Sequence, residues 1–302
     1  MSWKGNDWSG RATTQSGRDQ GRRDDTPLDG PIEMPEIFYF GRGPRTLLGL
    51  RHPPLVPPHT AMLVCAPLLQ EGIRCQRALW SLSEALAAAG VDVLRFDWFG
   101  SGDSAGASAD IDVPGLVDDI AAAEFQMRSS AEAAQAGLAR PRLFGLRSAA
   151  LPLLAYASAR REPVDVVLWA PALDGRALAA AWREQHRRQL HTAGRFLSAD
   201  TASDDDELLG FVIDRDLLED LGAWHGGDLL LPAGSRLVLV QWPASPVDES
   251  FIAAQRGAGV MVERFDLDGA DEPAWDDPDQ FETQIFPRQA VTQLARHLAE
   301  AA

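Results

Sequence analysis

Long apolar runs are missing from this chain of 302 residues. No stretch approaches the roughly 18 uninterrupted apolar residues of a membrane-spanning helix, so membrane insertion is not expected. Cysteine is scarce too. Cys65 and Cys75 are too few for a disulfide framework and match no metal-ligand spacing, so a reducing cytoplasm is the expected setting, with no metal or cofactor. The N-terminus lacks the apolar h-region of a secretory signal. Residues 1–30 have almost no aliphatic side chains and are rich in Gly, Arg, Asp, Ser and Thr, which reads as a disordered tail. Positive charge is in deficit as well. A net charge of −16 argues against nonspecific nucleic-acid binding.

The acidic surplus is concentrated. Residues 200–220 hold nine acids against one arginine, and residues 266–282 hold eight acids and no base. Those two tracts account for the whole net charge. They read as solvated loops, with a basic stretch at 175–195 between the core and the first of them.

Hydrophobic residues make up 45% of the chain, enough for a sizeable core over residues 31–302. "EIFYF" and "RTLLGLRHPP", joined by Gly41-Arg42-Gly43-Pro44, predict a β-hairpin. "AMLVCAP", "VDVLRFDWFG", "PRLFG", "VDVVLWAP", "SRLVLVQWP" and "GVMVERFDL" predict strands. Segments with helical spacing separate most of them: "RCQRALWSLSEALAAAG" puts Leu79, Leu82 and Leu86 on one face, with Gly90 as its stop. This alternation calls for a mostly parallel sheet with helices on both faces. Residues 172–234 break the rhythm. They are charged, helical and without a strand pattern, which predicts a helical lid inserted at the strand ends, where open α/β sheets place their sites.

Three stretches carry a family resemblance. "VLRFDWFGSGDSAG" resembles the α/β-hydrolase loop in which a strand ends in Asp, then an aromatic, then G-x-G-x-S. "VCAPLLQEG" resembles the loop that supplies an oxyanion-hole amide, here Leu68, Leu69, Gln70 and Glu71. "LFGLRSAA" falls where the nucleophile turn belongs. The resemblance spans roughly residues 36–301. Within the superfamily it is nearest to the exosortase A system-associated hydrolases (serine aminopeptidase-like), whose turn reads G-L-R rather than G-x-S.

That resemblance implies a Ser, Asp and His in chain order, and the residues do not supply them. The apex of Gly145-Leu146-Arg147-Ser148-Ala149 is an arginine. Ser148 is one residue late, which turns its side chain about 100° away on a helix. Asp248 lies where the triad acid would sit and also fits a helix N-cap. The stretch after the last strand, "RFDLDGADEPAWDDPDQFETQ", has no histidine, and a serine hydroxyl without a base is a poor nucleophile. His297 falls in the closing helix, Cys65 in a core strand, and His186 and His191 in the insertion, from which a lid could supply a base.

A guanidinium at the apex cannot act as a base at neutral pH. It can grip a carboxylate or phosphate, or it can form an internal salt bridge with Glu71 or Asp248, Asp248 being the expected partner. Three functions remain open. The chain is a non-catalytic binding or accessory protein for a small anionic or acyl ligand, or an ester or thioester hydrolase or acyl-transfer enzyme with a non-standard nucleophile or lid-supplied base. The third reading is an interaction module whose acidic tracts and tail meet a protein partner.

Overall fold

The computed structural model describes residues 34–129, 140–191, 207–275 and 286–300. The tail expected over residues 1–30 lies outside them. Glu36–Arg42 (β1) and Arg45–His52 (β2) pair antiparallel, with Arg42 opposite Arg45 across Gly43-Pro44. Gly41 has a φ of 108°, and a Cβ there would lie 2.3 Å from the Arg45 carbonyl oxygen, so glycine is required.

The chain then alternates through Thr60–Cys65 (β3), Leu69–Ala88 (α1), Val91–Phe96 (β4), Val113–Arg128 (α2), Arg142–Leu146 (β5), Ala150–Ser158 (α3), Asp165–Trp169 (β6) and Gly175–Leu190 (α4). It continues through Glu207–Leu208 (β7), Phe211–Val212 (β8), Arg215–Gly222 (α5), Arg236–Gln241 (β9), Glu249–Gly257 (α6), Met261–Asp266 (β10) and Arg288–Glu300 (α7). Eight strands form one sheet in the order β1-β2-β4-β3-β5-β6-β9-β10. β2 runs antiparallel to both neighbours, and the six strands from β4 to β10 are parallel. Strands covered on both faces must be apolar throughout, which is why "AMLVC" and "LFGL" lack alternation.

One sheet face carries Leu63, Leu94, Leu143, Leu168 and Leu239 against α2, α3 and α6. The other carries Met62, Val64, Phe144, Val167 and Val238 against Leu79, Leu82 and Leu86 of α1 and Leu294 and Leu298 of α7. Each fully buried leucine contributes about 1.5 to 3 kcal/mol relative to exposure. Aspartates begin four of the helices: Asp112, Asp174, Asp214 and Asp248 each accept a backbone N–H from the first turn.

Between β6 and β9 the fold departs from the expected all-helical segment. β7 and β8 form a small antiparallel pair, turned through Leu209 at φ 55° and Gly210 at φ 86°. Strands of two residues are too short to leave an alternation pattern. Leu178, Trp182, Leu217 and Leu221 of α4 and α5 are buried and join the first core face. Residues 192–206, which hold the start of the first acidic tract, lie outside the described residues. Among the described residues, no helix is long and apolar enough to cross a membrane.

Candidate functional site

Three non-glycine residues with left-handed backbone sit at the C-terminal ends of the parallel strands. Leu69 beyond β3 and Arg147 after β5 both have φ 51°, and Ala170 after β6 has φ 44°. Such conformations cost roughly 1 to 3 kcal/mol each and persist where the surroundings fix them. Arg147 begins a 3-10 turn, Arg147–Ala149, that leads straight into α3. It is therefore the apex of a strand–turn–helix, as the spacing predicts. Gly145 permits the tight packing below it, since a Cβ there would lie 2.9 Å from Leu153 Cδ2.

Among the described residues, a carboxylate that meets Arg147 is Glu71, in the first turn of α1. Arg147 Nε and Nη2 both donate to Glu71 Oε1 at 3.3 Å. Trp182 Nε1, from α4, donates to the same oxygen at 3.4 Å. The Ser148 amide donates to Glu71 Oε2 at 3.3 Å. The Glu71 side chain is 3% exposed and that of Arg147 18%. A buried carboxylate is thus held by a guanidinium, an indole and an amide, the multiple partnering that a desolvated charge needs.

On the far side of Arg147, a cavity of about 600 Å³ opens between the loops that follow β6, β9 and β10. Its lining includes Arg147, Pro171, Trp242, Ser245, Glu272 and Trp275. Trp242 and Trp275 pack with Trp169 in a three-ring cluster, with centroids 5.5 to 5.8 Å apart and Trp275 edge-on to the other two. The Arg147 guanidinium carbon lies 6.0 Å from the Trp275 ring centroid, within cation–π range. Ser245 Oγ donates to Glu272 at 2.9 Å.

No protein-family model and no curated relative matches the chain. Solved structures do. The chain is similar to Est1E from Butyrivibrio proteoclasticus with bound ferulic acid, at TM-score 0.59 and 15% identity over 88% of this chain and 100% of that one. It is similar to a thermostable carboxyl esterase from Bacillus coagulans, at TM-score 0.57 and 11% identity over 89% and 98%. An α/β serine hydrolase homologue from Coxiella burnetii aligns at TM-score 0.51 and 15% identity over 90% and 99%. The chain has the α/β-hydrolase fold.

In an active α/β-hydrolase, the amide after the nucleophile and an amide from the loop after β3 hold the oxyanion. Here the Ser148 amide is taken by Glu71, and the Leu68 amide donates to Ser148 Oγ at 2.9 Å. The expected loop 68–71 is already helical from Leu69, with Leu68 as its N-cap. Gln70 Oε1 accepts from Gln189 Nε2 of α4 at 2.7 Å. Ser148 is fully buried, so its hydroxyl faces the Leu68 amide rather than the cavity.

Asp248 corrects the expectation about the arginine's partner. Its carboxylate is exposed and caps α6 by accepting the Ser250 amide at 2.8 Å. That hydrogen bond holds its pKa below the usual carboxylate value. The N-cap geometry that the sequence also allowed is the one adopted, because an exposed cap satisfies an orphan amide at no desolvation cost.

The other candidates occupy structural positions. Burial, and then the nearby Asp119 charge, push the Cys65 thiol far above its ordinary pKa. His186 Nδ1 accepts the Leu209 amide at 3.0 Å and so braces the β7–β8 turn. His191 is exposed at the end of α4. His297 stacks on Phe265 at 4.0 Å, with its Nε2 3.0 Å from Glu263. All six histidines fall among the described residues, and none of them hydrogen-bonds Ser148 or lines the cavity. Trp182 and Trp275 were not foreseen as site residues, since nothing local in "AAAWREQ" or "EPAWDD" marks them.

The "FDWFGSGDSAG" loop follows its expected form. Gly100, Gly102 and Gly106 all have positive φ, and Ser104 Oγ donates to the Asp97 carbonyl at 2.6 Å while accepting the Leu48 amide. Trp98 Nε1 donates to Ala66 O at 2.8 Å, which ties this loop to the one after β3.

Proposed function

We propose that this α/β-hydrolase-fold protein is non-catalytic and serves as a binding or accessory protein, its strand-end site closed by the Arg147–Glu71 ion pair. The observation that carries the reading is the position of Glu71. Its carboxylate accepts both the apex guanidinium and the amide that would otherwise stabilise an oxyanion. A tetrahedral intermediate would have to displace a buried negative charge from that amide, and loss of one oxyanion donor costs about 3 to 4 kcal/mol of barrier. The stretch after β10 has no histidine to act as base, and His186, the lid candidate, uses its Nδ1 on a backbone amide.

The G-L-R turn extends the resemblance to exosortase A system-associated hydrolases, and we read the arginine as standing in the nucleophile's place. Residues 172–234 serve as the lid, with α4 reaching the plug through Trp182 and Gln189. Both cysteines are unbridged and buried, in keeping with a reducing, cytoplasmic setting.

Turnover of p-nitrophenyl butyrate and labelling by a fluorophosphonate probe test the reading. The expected result is no turnover above a heat-unfolded control and no label. Stoichiometric labelling that disappears in Ser148→Ala would overturn it.

A further inference from the structure

We propose that β1 is a self-association edge. Two copies of this chain pair antiparallel through Glu36–Arg42, about a dyad at Tyr39, so that two eight-stranded sheets become one.

β1 ends the sheet, and among the described residues its outer edge carries no strand. Backbone groups on one side of it go to β2, and those on the other side face outward, a template for a further strand. Open edges are commonly blunted by a charged side chain within the strand, a proline or a bulge. β10, at the opposite end of the sheet, follows that practice, with Glu263, Arg264 and Asp266 spread along it. β1 does not. Its seven residues pair with β2 one for one, from Glu36 opposite Arg51 to Arg42 opposite Arg45, without a bulge. Between its charged ends stand Ile37, Phe38, Tyr39, Phe40 and Gly41. Phe38 and Phe40 turn to the core, so Ile37 and Tyr39 lie on the other face, 68% and 63% exposed.

The charges select a second copy as the occupant of this edge. In an antiparallel pair centred on Tyr39, Glu36 stands opposite the partner's Arg42, and Arg42 opposite the partner's Glu36. Phe38 stands opposite the partner's Phe40, and the two Tyr39 side chains meet at the dyad. Any other antiparallel register loses part of the seven-residue match and takes Glu36 away from the partner's Arg42. Opposite charges directly across such a pair are favourable and like charges unfavourable, and two-fold symmetry applies each contact twice. Glu36 also accepts from Arg51 Nη1 at 3.2 Å within its own copy, and its side chain remains 57% exposed, so it can bridge two guanidinium groups. The net charge of −16 does not fall on the dyad, since β1 holds one acid and one base. The second acidic tract follows β10, seven strand spacings away, roughly 33 Å at about 4.8 Å each. That is several times the screening length of about 8 Å at physiological salt.

Sedimentation velocity on the full chain, from about 1 to 500 μM, tests the proposal. A contact of one strand per copy is smaller than a standard interface, so half-association is expected on the order of 10 to 100 μM. The mass should move from 32.8 kDa to twice that value. Arg42→Glu and Glu36→Arg each place like charges across the dyad, and each should raise the midpoint at least roughly tenfold. An equimolar mixture of these two variants has both pairs attractive again and should regain the dimer. Tyr39→Cys should give an intermolecular disulfide under mild oxidation, since the native cysteines are buried and unbridged, whereas Met261→Cys on β10 should not. A mass of 32.8 kDa throughout the wild-type series, a dimer indifferent to both charge variants, or equal cross-linking through β10 would overturn the proposal. So would a chain that dimerises only after residues 1–33 are removed, which would assign this edge to the chain's own N-terminal segment. The wild-type series and the mixture stand even if one cysteine variant fails to fold.

Discussion

Glu71 Oε2 lies 3.3 Å from the Ser148 amide, while Oε1 of the same carboxylate lies 3.3 Å from the Arg147 guanidinium. One side chain thus neutralises the apex arginine and occupies the hydrogen-bond donor beside it. The two partners are unequally buried, and that makes the pair's energetics testable.

Arg147→Met strands a carboxylate that is 3% exposed, whereas Glu71→Gln leaves a guanidinium with 18% of its side chain in solvent. The first substitution should cost roughly 3 kcal/mol and the second less, about 1 to 2 kcal/mol. Combined, they should cost less than their sum, since the double variant buries no lone charge. Urea midpoints for the three proteins check the order. A larger loss in Glu71→Gln would mean that the guanidinium is the more desolvated partner.

His52 sets a pH dependence. It is buried beneath Trp80, 5.1 Å from that ring, and burial followed by the Arg95 charge lowers its pKa to about 4. In the unfolded chain it titrates near 6.5. Between these values only the unfolded chain takes up the proton, so stability falls as pH drops from about 6.5 to 4, by on the order of 3 kcal/mol. His52→Gln should remove that part of the slope. Parallel stability curves for the two proteins across this window would contradict the assignment.

Trp182→Phe deletes the indole donor to Glu71 and keeps most of the packing of α4. The cost to global stability should be about 1 kcal/mol. Hydrogen exchange should rise in residues 175–190 before it rises in the sheet. Uniform exchange changes over the whole chain would show that α4 is not anchored through this contact.

Two glycines separate strain from collision. Gly102 has φ 56° and its Cβ would lie 2.1 Å from Asp97 Oδ2, while Gly43 has φ 59° with nothing within 4 Å. Gly43→Ala should cost about 1 kcal/mol of backbone strain. Gly102→Ala should cost more, roughly 2 to 4 kcal/mol, because the Asp97 carboxylate must also move. Thermal melts of the two variants compare them directly.

The strands and most helices were legible in the sequence because each is covered in a way that leaves a pattern. β3 and β5 are apolar throughout, and α1 carries Leu79, Leu82 and Leu86 at helical spacing. The turn at Arg147 was legible because a nucleophile-type elbow needs its small neighbours, Gly145 and Ala149, at fixed offsets. The partner of Arg147 was not. Asp248 and Glu71 are both plausible acids by position, and the choice depends on α1 starting at Leu69, well before its leucine spacing begins at Leu79. That early start turns Glu71 inward and leaves Asp248 to cap α6. The cavity was equally hidden, since Trp242 and Trp275 come from separate loops and meet only through the sheet.

The separation of Glu71 and Arg147 along the chain, 76 residues, has a consequence for assembly. The two are brought together by the pairing of β3 with β5, in which Cys65 sits opposite Gly145. β4 also pairs with β3, on its other edge, and is made first during synthesis. A growing chain can therefore form the β3–β4 half of this layer while Glu71 still lacks its counter-charge. Until β5 arrives, that carboxylate must stay hydrated and the first turn of α1 must stay open to water. Closure of the ion pair then marks the point at which the two halves of the sheet become one cooperative unit.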